Sequence, residues 1–324
     1  MKILKILSIF AILSMFLLLF YPKNLEYQEK TISISKGETV LQIASSLENQ
    51  GIIKNQYIFL LTAFIKNDLK SMQAGEYFLN SKMSNNEIIN ILVSGETIKN
   101  KITIPEGWTN KEIAEYFESK EISEKSNILN LLNSSSYNYG FLKDKPENLS
   151  LEGYVFPDTY LLETDESLEN IIKIILDNFD KKLTPELRQE ISRQNKTIFE
   201  IITMASLIEK EVITYEDKQI VSGILWKRIG ANMPLQVDAT IIYALNEKKE
   251  SISIEDTKIN SPYNTYKYKG LPLGPICNPG IESIKAAIYP KESNYWYYLS
   301  KPNKETVFSK TLEEHNIARN KYLK

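Results

Sequence analysis

The chain has 324 residues, of which 43% are hydrophobic, and this gives room for two domains of ordinary globular composition. A formal net charge of −2, with no long basic run, excludes the electrostatic footprint of a nucleic-acid-binding protein. With one cysteine, Cys277, and one histidine, His315, the chain has no internal disulfide framework, and a zinc site built from His and Cys ligands is implausible.

The N-terminal segment predicts a membrane anchor over residues 1–22. Ile6–Phe20 is apolar except for two serines, and with its apolar neighbours it approaches the roughly 20 residues that span a bilayer. A cleavable signal peptide is the alternative, but no small-residue cleavage pattern follows Phe20. Because Lys2 and Lys5 precede the apolar stretch, we predict a single-pass anchor with a cytoplasmic N-terminus, which leaves the rest of the chain periplasmic or extracytoplasmic.

Residues 31–98 predict a small α+β module, because apolar residues recur first with the period of a strand and then with that of a helix. The predicted elements are a strand over Thr31–Ser35, helices over 40–47 and 57–64, a strand over Gly75–Leu79, and a helix that begins with the capping box of Ser84 and Glu87.

Residues 99–324 predict a second, larger α+β domain, so the fold class of the whole chain is α+β. Residues 133–150 are rich in loops, and the chain after Met233 alternates loops with short segments. The predicted elements are a strand over Lys101–Ile104, a helix capped by Thr109 and Glu112, helices over 168–183, 185–192, 197–213 and 217–229, and a strand over 295–299.

Glu209 is the strongest candidate for chemistry. At about 100° per residue it falls within the apolar stripe of the predicted helix 197–213, whereas Glu211 falls outside that stripe. A carboxyl group among apolar neighbours is penalised for ionising, and a carboxyl that keeps its proton near neutral pH can act as a general acid. The alternative is a glutamate in the core that is neutralised by a lysine or arginine.

Three further stretches combine residue types that suit a binding site. Glu152–Tyr160 holds carboxylates and aromatic residues around a Gly-Tyr-Val-Phe-Pro turn, and an aromatic turn packed on the core is its alternative. Gln236 and Asp238 would share one face of an extended segment and could bind sugar hydroxyl and acetamido groups, although a solvated strand face looks the same in sequence. Gly270–Gly280 has three glycines and three prolines, which suits either a rigid loop at a groove or a structural connector.

Together these motifs resemble the YceG/MltG family of endolytic murein transglycosylases, and the resemblance covers nearly the whole chain. The stretches that carry it, in order, are Ile104–Thr109, Glu152–Tyr160, Ala205–Glu211, Pro234–Thr240, Ser261–Tyr266, Gly270–Gly280 and Glu314–Asn316. Residues 31–98 resemble the LysM-like domain of that family. In two places the chain departs from the family pattern: Thr306 stands where a histidine is usual, and Leu273 where a second proline is usual.

The resemblance implies a membrane-anchored lytic transglycosylase that cuts the β-1,4 bond between N-acetylmuramic acid and N-acetylglucosamine and leaves 1,6-anhydro ends. It places Glu209 at the position of the catalytic glutamate. It suggests substrate contacts for Gln236, Asp238, Asn264, Tyr263 and Glu152. The partners it implies are peptidoglycan strands, the membrane and peptidoglycan synthases, with no metal or other cofactor.

Two other functions remain open on sequence grounds. A hydrolase would use Glu209 with Asp238 as a second carboxylate that activates water. A non-enzymatic scaffold would instead use the LysM-like module to hold the cell wall.

Overall fold

The computed structural model describes residues 27–97, 99–134, 136–164, 166–247, 249 and 251–323. The predicted anchor lies outside these residues, and within them no helix is both long and apolar enough to cross a membrane. The chain divides into two compact units: one contains the described residues up to Lys101 together with Leu161–Glu166, and the other contains Ile102–Tyr160 and the chain from Ser167 onwards. The identification of these parts with a LysM-like module and a catalytic domain stays a prediction.

The first unit is built on a two-stranded antiparallel sheet. Strand β1 (Glu29–Ile34) pairs with β2 (Gly75–Asn80) in a register that sets Glu29 opposite Asn80. Three helices complete the unit: α1 (Val40–Asn49), α2 (Gln56–Lys66) and α3 (Asn85–Ser94). Their buried faces and the inner face of the sheet form one apolar core that includes Ile32, Leu47, Phe59, Tyr77 and Ile88.

The second unit is mainly helical. In it, β5 (Tyr297–Ser300) pairs with β6 (Thr306–Ser309). Strands β3 (Lys99–Thr103) and β4 (Thr159–Glu163), which pair with each other, each run across a boundary between the units in the chain. The helices are α4 (Asn110–Ser119), α5 (Lys125–Leu132), α6 (Leu168–Lys182), α7 (Pro185–Arg193), α8 (Ile198–Glu211), α9 (Tyr215–Gly230), α10 (Asp238–Leu245), α11 (Ile281–Ile288) and α12 (Leu312–Tyr322).

Helix α8 is the central element of this unit, and it carries Glu209. Its N-terminus is fixed by the predicted capping box, in which Thr197 and Glu200 each satisfy a backbone N–H of the other. Every residue from Ile201 to Ile208 is buried, including Thr203 and Ser206, because α9 and α11 pack on the sides that the sequence pattern leaves open. The prediction of an apolar stripe on one side only is therefore too narrow, since the helix is enclosed all round.

The predicted extended segment around Gln236 is wrong. Gln236 lies in the left-handed region with φ of 55°, and Asp238 begins helix α10. The two side chains therefore do not follow the alternation of a strand. The short helices α5, α10 and α11 and the strands β4 and β6 are absent from the sequence prediction. The predicted capping boxes at Ser84 and Thr109 are confirmed.

Candidate active site

The Glu209 carboxylate is held from two sides near the C-terminal end of α8. Its side chain is 9% exposed, and the ammonium of Lys218, in the first turns of α9, lies 3.3 Å from Oε1. The backbone N–H of Gly280 donates to Oε2 at 2.9 Å. The surroundings are therefore not the wholly apolar ones that helical phase predicts, because a charged group and a backbone dipole both bind the ionised carboxylate. This pairing is the alternative that the sequence left open.

Glu106 is a second carboxyl group at the same place. It lies in the turn between β3 and α4, and its side chain occupies the space that a Cβ atom on Gly280 would need. Glu106 is exposed as a residue, but partial desolvation of its carboxyl raises its pKa. The charges of Glu209 and Glu282 add to the rise, while the charge of Lys218 opposes it. Position 280 must therefore be glycine for Glu106 and Glu209 to approach the same backbone unit.

Asn278 ties together three motifs that lie far apart in the chain. Its Oδ1 accepts the N–H groups of Gly153 and Val155 at 2.9 Å each, and its Nδ2 donates to the Trp108 carbonyl at 3.0 Å. The backbones of Gly107 and Asn278 are also joined, by an N–H···O bond of 2.9 Å. This fully buried amide fixes the Gly280 N–H, two residues further on, against Glu209.

Glu152 belongs to the same buried network. Its carboxyl oxygens accept the N–H of Asn110 at 3.0 and 3.2 Å, the Nδ2 of Asn278 at 3.2 Å and the hydroxyl of Tyr243 at 3.4 Å. Burial raises the pKa of Glu152 to about 8, against the opposing effect of its hydrogen bonds. Other groups of the protein already donate hydrogen bonds to both oxygens of this carboxyl. The predicted contact of Glu152 with substrate stays a prediction.

A separate acidic cluster lies at the end of α8, on the side away from Glu209. Asp238 accepts the hydroxyl of Tyr266, and its charge acts on Glu211. Burial raises the pKa of Glu211 to about 7; the charge of Asp238 adds to the rise and a hydrogen bond with Tyr298 opposes it. The fold buries this carboxyl although Glu211 lies outside the apolar stripe. Asp238 is thus a neighbour of Glu211, not the carboxyl beside Glu209.

Of the other predicted substrate contacts, Tyr263 and Asn264 lie on one loop, and Gln236 contacts that loop. Asn264 is buried, and its amide accepts the N–H groups of Tyr266 and Lys267 and donates to two carbonyls, so it shapes the loop. Tyr263 packs its ring against Tyr243, with centroids 4.9 Å apart. Gln236 is exposed, and its N–H donates to the Thr265 carbonyl. None of these contacts tests a role in substrate binding.

No group of three or more His, Cys, Asp or Glu side chains in the described part of the chain is arranged to hold a metal ion. His315, on α12, stacks on Tyr297 with ring centroids 5.4 Å apart, and burial lowers its pKa. Thr306, at the position where the family usually has histidine, donates its hydroxyl to Asp217 at 3.0 Å.

The sequence interpretation omits Lys218, Glu106 and Gly280 as members of the site. Lys218 is buried at the start of α9, where the four consecutive polar residues Glu216–Gln219 give no apolar helical face. Glu106 is exposed, as expected of an acidic residue in a Pro-Glu-Gly turn, so the sequence does not indicate that its carboxyl lies against Gly280. These residues belong to one site because the tertiary fold brings residues 106, 209, 218 and 280 together.

Comparisons with known proteins agree with this arrangement. The YceG-like family model matches residues 32–321. An endolytic murein transglycosylase of Bacillus subtilis (strain 168) is 35% identical over 305 residues, which cover 90% of this chain and 84% of the relative. One of Streptococcus pneumoniae (strain D39) is 30% identical over 88% of this chain and 57% of the relative. A crystal structure of a yceG-like protein of Listeria monocytogenes, 33% identical, superposes with a TM-score of 0.61 over 90% of this chain and all of that one. The chain therefore belongs to the YceG-like family.

Proposed function

We propose that this chain is an endolytic lytic transglycosylase of peptidoglycan, with Glu209 as its acid and base. The observation that carries the proposal is the convergence on Glu209 of Lys218, Gly280 and the Glu106–Gly107 turn. Gly280 and the turn come from two separate stretches that carry the family resemblance. The names of the relatives, which are murein transglycosylases, supply the substrate class.

The proposed reaction uses one carboxyl group in two steps. Protonated Glu209 donates its proton to the glycosidic oxygen as the bond to C1 of N-acetylmuramic acid breaks. The ionised carboxylate then accepts the proton of the O6 hydroxyl as O6 closes on C1 and forms the 1,6-anhydro ring. No water is consumed, and the 2-acetamido group is expected to assist from the neighbouring position, as in the family.

Lys218 and Gly280 stabilise the carboxylate that exists between these two steps. Both bind the ionised form of Glu209, which is the form that accepts the O6 proton. Because the Gly280 N–H is a backbone donor that is fixed before the reaction begins, it stabilises the carboxylate without reorganisation. When Glu209 holds the proton that it donates, its carboxyl is neutral, and Lys218 can then no longer form an ion pair with it.

A hydrolase that combines Glu209 with Asp238 is the second candidate, and the contacts of Asp238 speak against it. Typical glycosidases place two carboxyl groups on either side of the bond that they cut. Asp238 is bonded to Tyr266 and neighbours Glu211, whereas the carboxyl next to Glu209 belongs to Glu106.

The anchor is a further part of the proposal. With residues 1–22 in the membrane, the two units would face newly made glycan strands outside the cytoplasm, beside the synthases that polymerise them. Cutting at that place would limit the length of the strands.

The experiment that tests the proposal is glycan cleavage by Glu209→Gln, which keeps the shape of the side chain and removes its proton exchange. We expect the loss of at least about 1,000-fold in kcat, in line with the removal of an essential acid. Glu211→Gln, two residues away on the same helix, is the matched control and should keep near-normal activity at pH 6. Full activity in a folded Glu209→Gln protein would refute the assignment and favour the scaffold.

A further inference from the structure

Lys218 is almost completely enclosed. Its side chain is 3% exposed, and its ammonium pairs with Glu209 at 3.3 Å. A buried ammonium without a counterion is strongly destabilising, because the interior does not replace the water it has lost. On the proposed function, Glu209 is neutral while it holds the proton that it donates. Lys218 then needs another carboxylate in that state.

Glu106 is placed to supply this carboxylate. Its side chain lies against Gly280, whose N–H binds Glu209, and these two contacts hold the carboxyl groups of Glu106 and Glu209 within about 8 Å of each other. The charge of Lys218 acts on Glu106 as well as on Glu209. The ammonium is paired with Glu209 and also acts through its charge on Glu106, and the two carboxyl groups repel each other when both are ionised.

We infer that Glu106 is the alternative counterion of Lys218 and thereby allows Glu209 to hold its proton. This inference rests on the proposed function. Before cleavage, Lys218 pairs with Glu106 and Glu209 is neutral. As the glycosidic oxygen takes the proton from Glu209, Lys218 pairs with the new carboxylate, which is the arrangement in the structure. When Glu209 regains a proton from O6, Lys218 returns to Glu106, so that no proton is gained or lost over the cycle.

Glu106 is a positioning residue in this scheme, since it acts through Lys218 and need not touch the substrate. The charged groups that face it are Glu209 on α8, Lys218 on α9 and Glu282 on α11, and Lys210 of α8 lies beside the neighbouring Gly107. Glu282 is exposed and provides a matched control, because its charge acts on Glu106 while the Lys218 ammonium pairs with Glu209.

The test is the pH dependence of kcat for glycan cleavage by the full-length protein. In Glu106→Gln, Lys218 has only Glu209 to pair with, so the pH at which kcat falls on the alkaline side should move down by about one unit, with about a tenfold loss at pH 7 and little change in KM. Lys218→Met should move this pH upward. In the Lys218→Met background, Glu106→Gln should change kcat by about twofold or less.

Other results of the same measurements would overturn the inference. If folded Glu106→Gln shows the same fall of kcat at alkaline pH as the wild type, the inference is overturned. It is also overturned if Glu106→Gln moves this pH by the same amount in the wild-type and Lys218→Met backgrounds. If Glu106→Gln does not fold, Glu106→Asp keeps the charge on a shorter side chain and should give the same shift at smaller size, and no shift again overturns the inference. Glu282→Gln should leave the profile within about twofold of the wild type. Hydrated products from the wild type would contradict the proposed function instead, independently of these shifts.

Discussion

Glu152→Gln should make the protein more stable relative to the wild type as the pH rises. Burial raises the pKa of Glu152 to about 8, compared with an ordinary value of 4.5 for glutamate. The unfolded chain therefore releases this proton at a lower pH than the folded chain does. The stabilising effect of the carboxyl is complete below pH 4.5 and is lost as the pH rises towards 8.

The size of the effect follows from these two values. Between pH 5 and pH 8, proton linkage at Glu152 should lower the free energy of unfolding of the wild type by about 3 to 4 kcal/mol. A glutamine in the same place does not ionise and keeps an oxygen that can accept the N–H of Asn110. The difference in stability between variant and wild type should change by this amount over the same range.

Urea unfolding at pH 5, 6, 7 and 8 measures this difference, with Glu313→Gln, on the exposed face of α12, as the control. The control should differ from the wild type by a constant amount at all four values. A change of less than about 1 kcal/mol for Glu152→Gln would refute the reasoning, because it would mean that the carboxyl is ionised in the folded protein at neutral pH.

Three further predictions concern the scaffold of the site. Asn278→Ala leaves the N–H groups of Gly153 and Val155 without acceptors and should cost about 3 to 5 kcal/mol in urea unfolding, whereas Asn320→Ala should cost almost nothing. Gly153→Ala adds a Cβ that would overlap Ile202 and Pro275 at a φ of 91°, so the variant should lose about 2 kcal/mol or more, and an unchanged melting temperature would contradict this. Glu211→Gln should gain about 2 to 3 kcal/mol over the wild type between pH 5 and 8, because burial raises the pKa of Glu211 to about 7; a flat difference would contradict that burial.

Much of the fold was predictable because it depends on residues that are close to one another in the chain. The capping boxes at Thr197, Ser84 and Thr109 depend on two residues three positions apart, so the sequence contains everything that fixes them. The long helices from Leu168 to Gly230 carry enough turns for their apolar period to be read. The eight-residue helix α10 is too short for that, and the residues before it, Pro234–Val237, follow a path that Gln236 bends into the left-handed region.

The site was predictable only in part, for a physical reason. Helical phase indicates that Glu209 faces inward, because phase is a property of a single element. Its counterion Lys218 depends on how the turn at Val212–Thr214 redirects the chain, and its backbone donor Gly280 is 71 positions away. The sequence offered two readings of Glu209, an acid in an apolar pocket or a carboxylate paired with a lysine, and the contacts correspond to the second.

The central claim is that the bond is cut without water, and product analysis in ¹⁸O-water tests it most directly. Purified glycan strands treated with the wild-type protein should yield 1,6-anhydro ends that contain no ¹⁸O, and Glu209→Gln should yield none of these ends. Reducing ends that carry one ¹⁸O atom would identify a hydrolase and contradict the account.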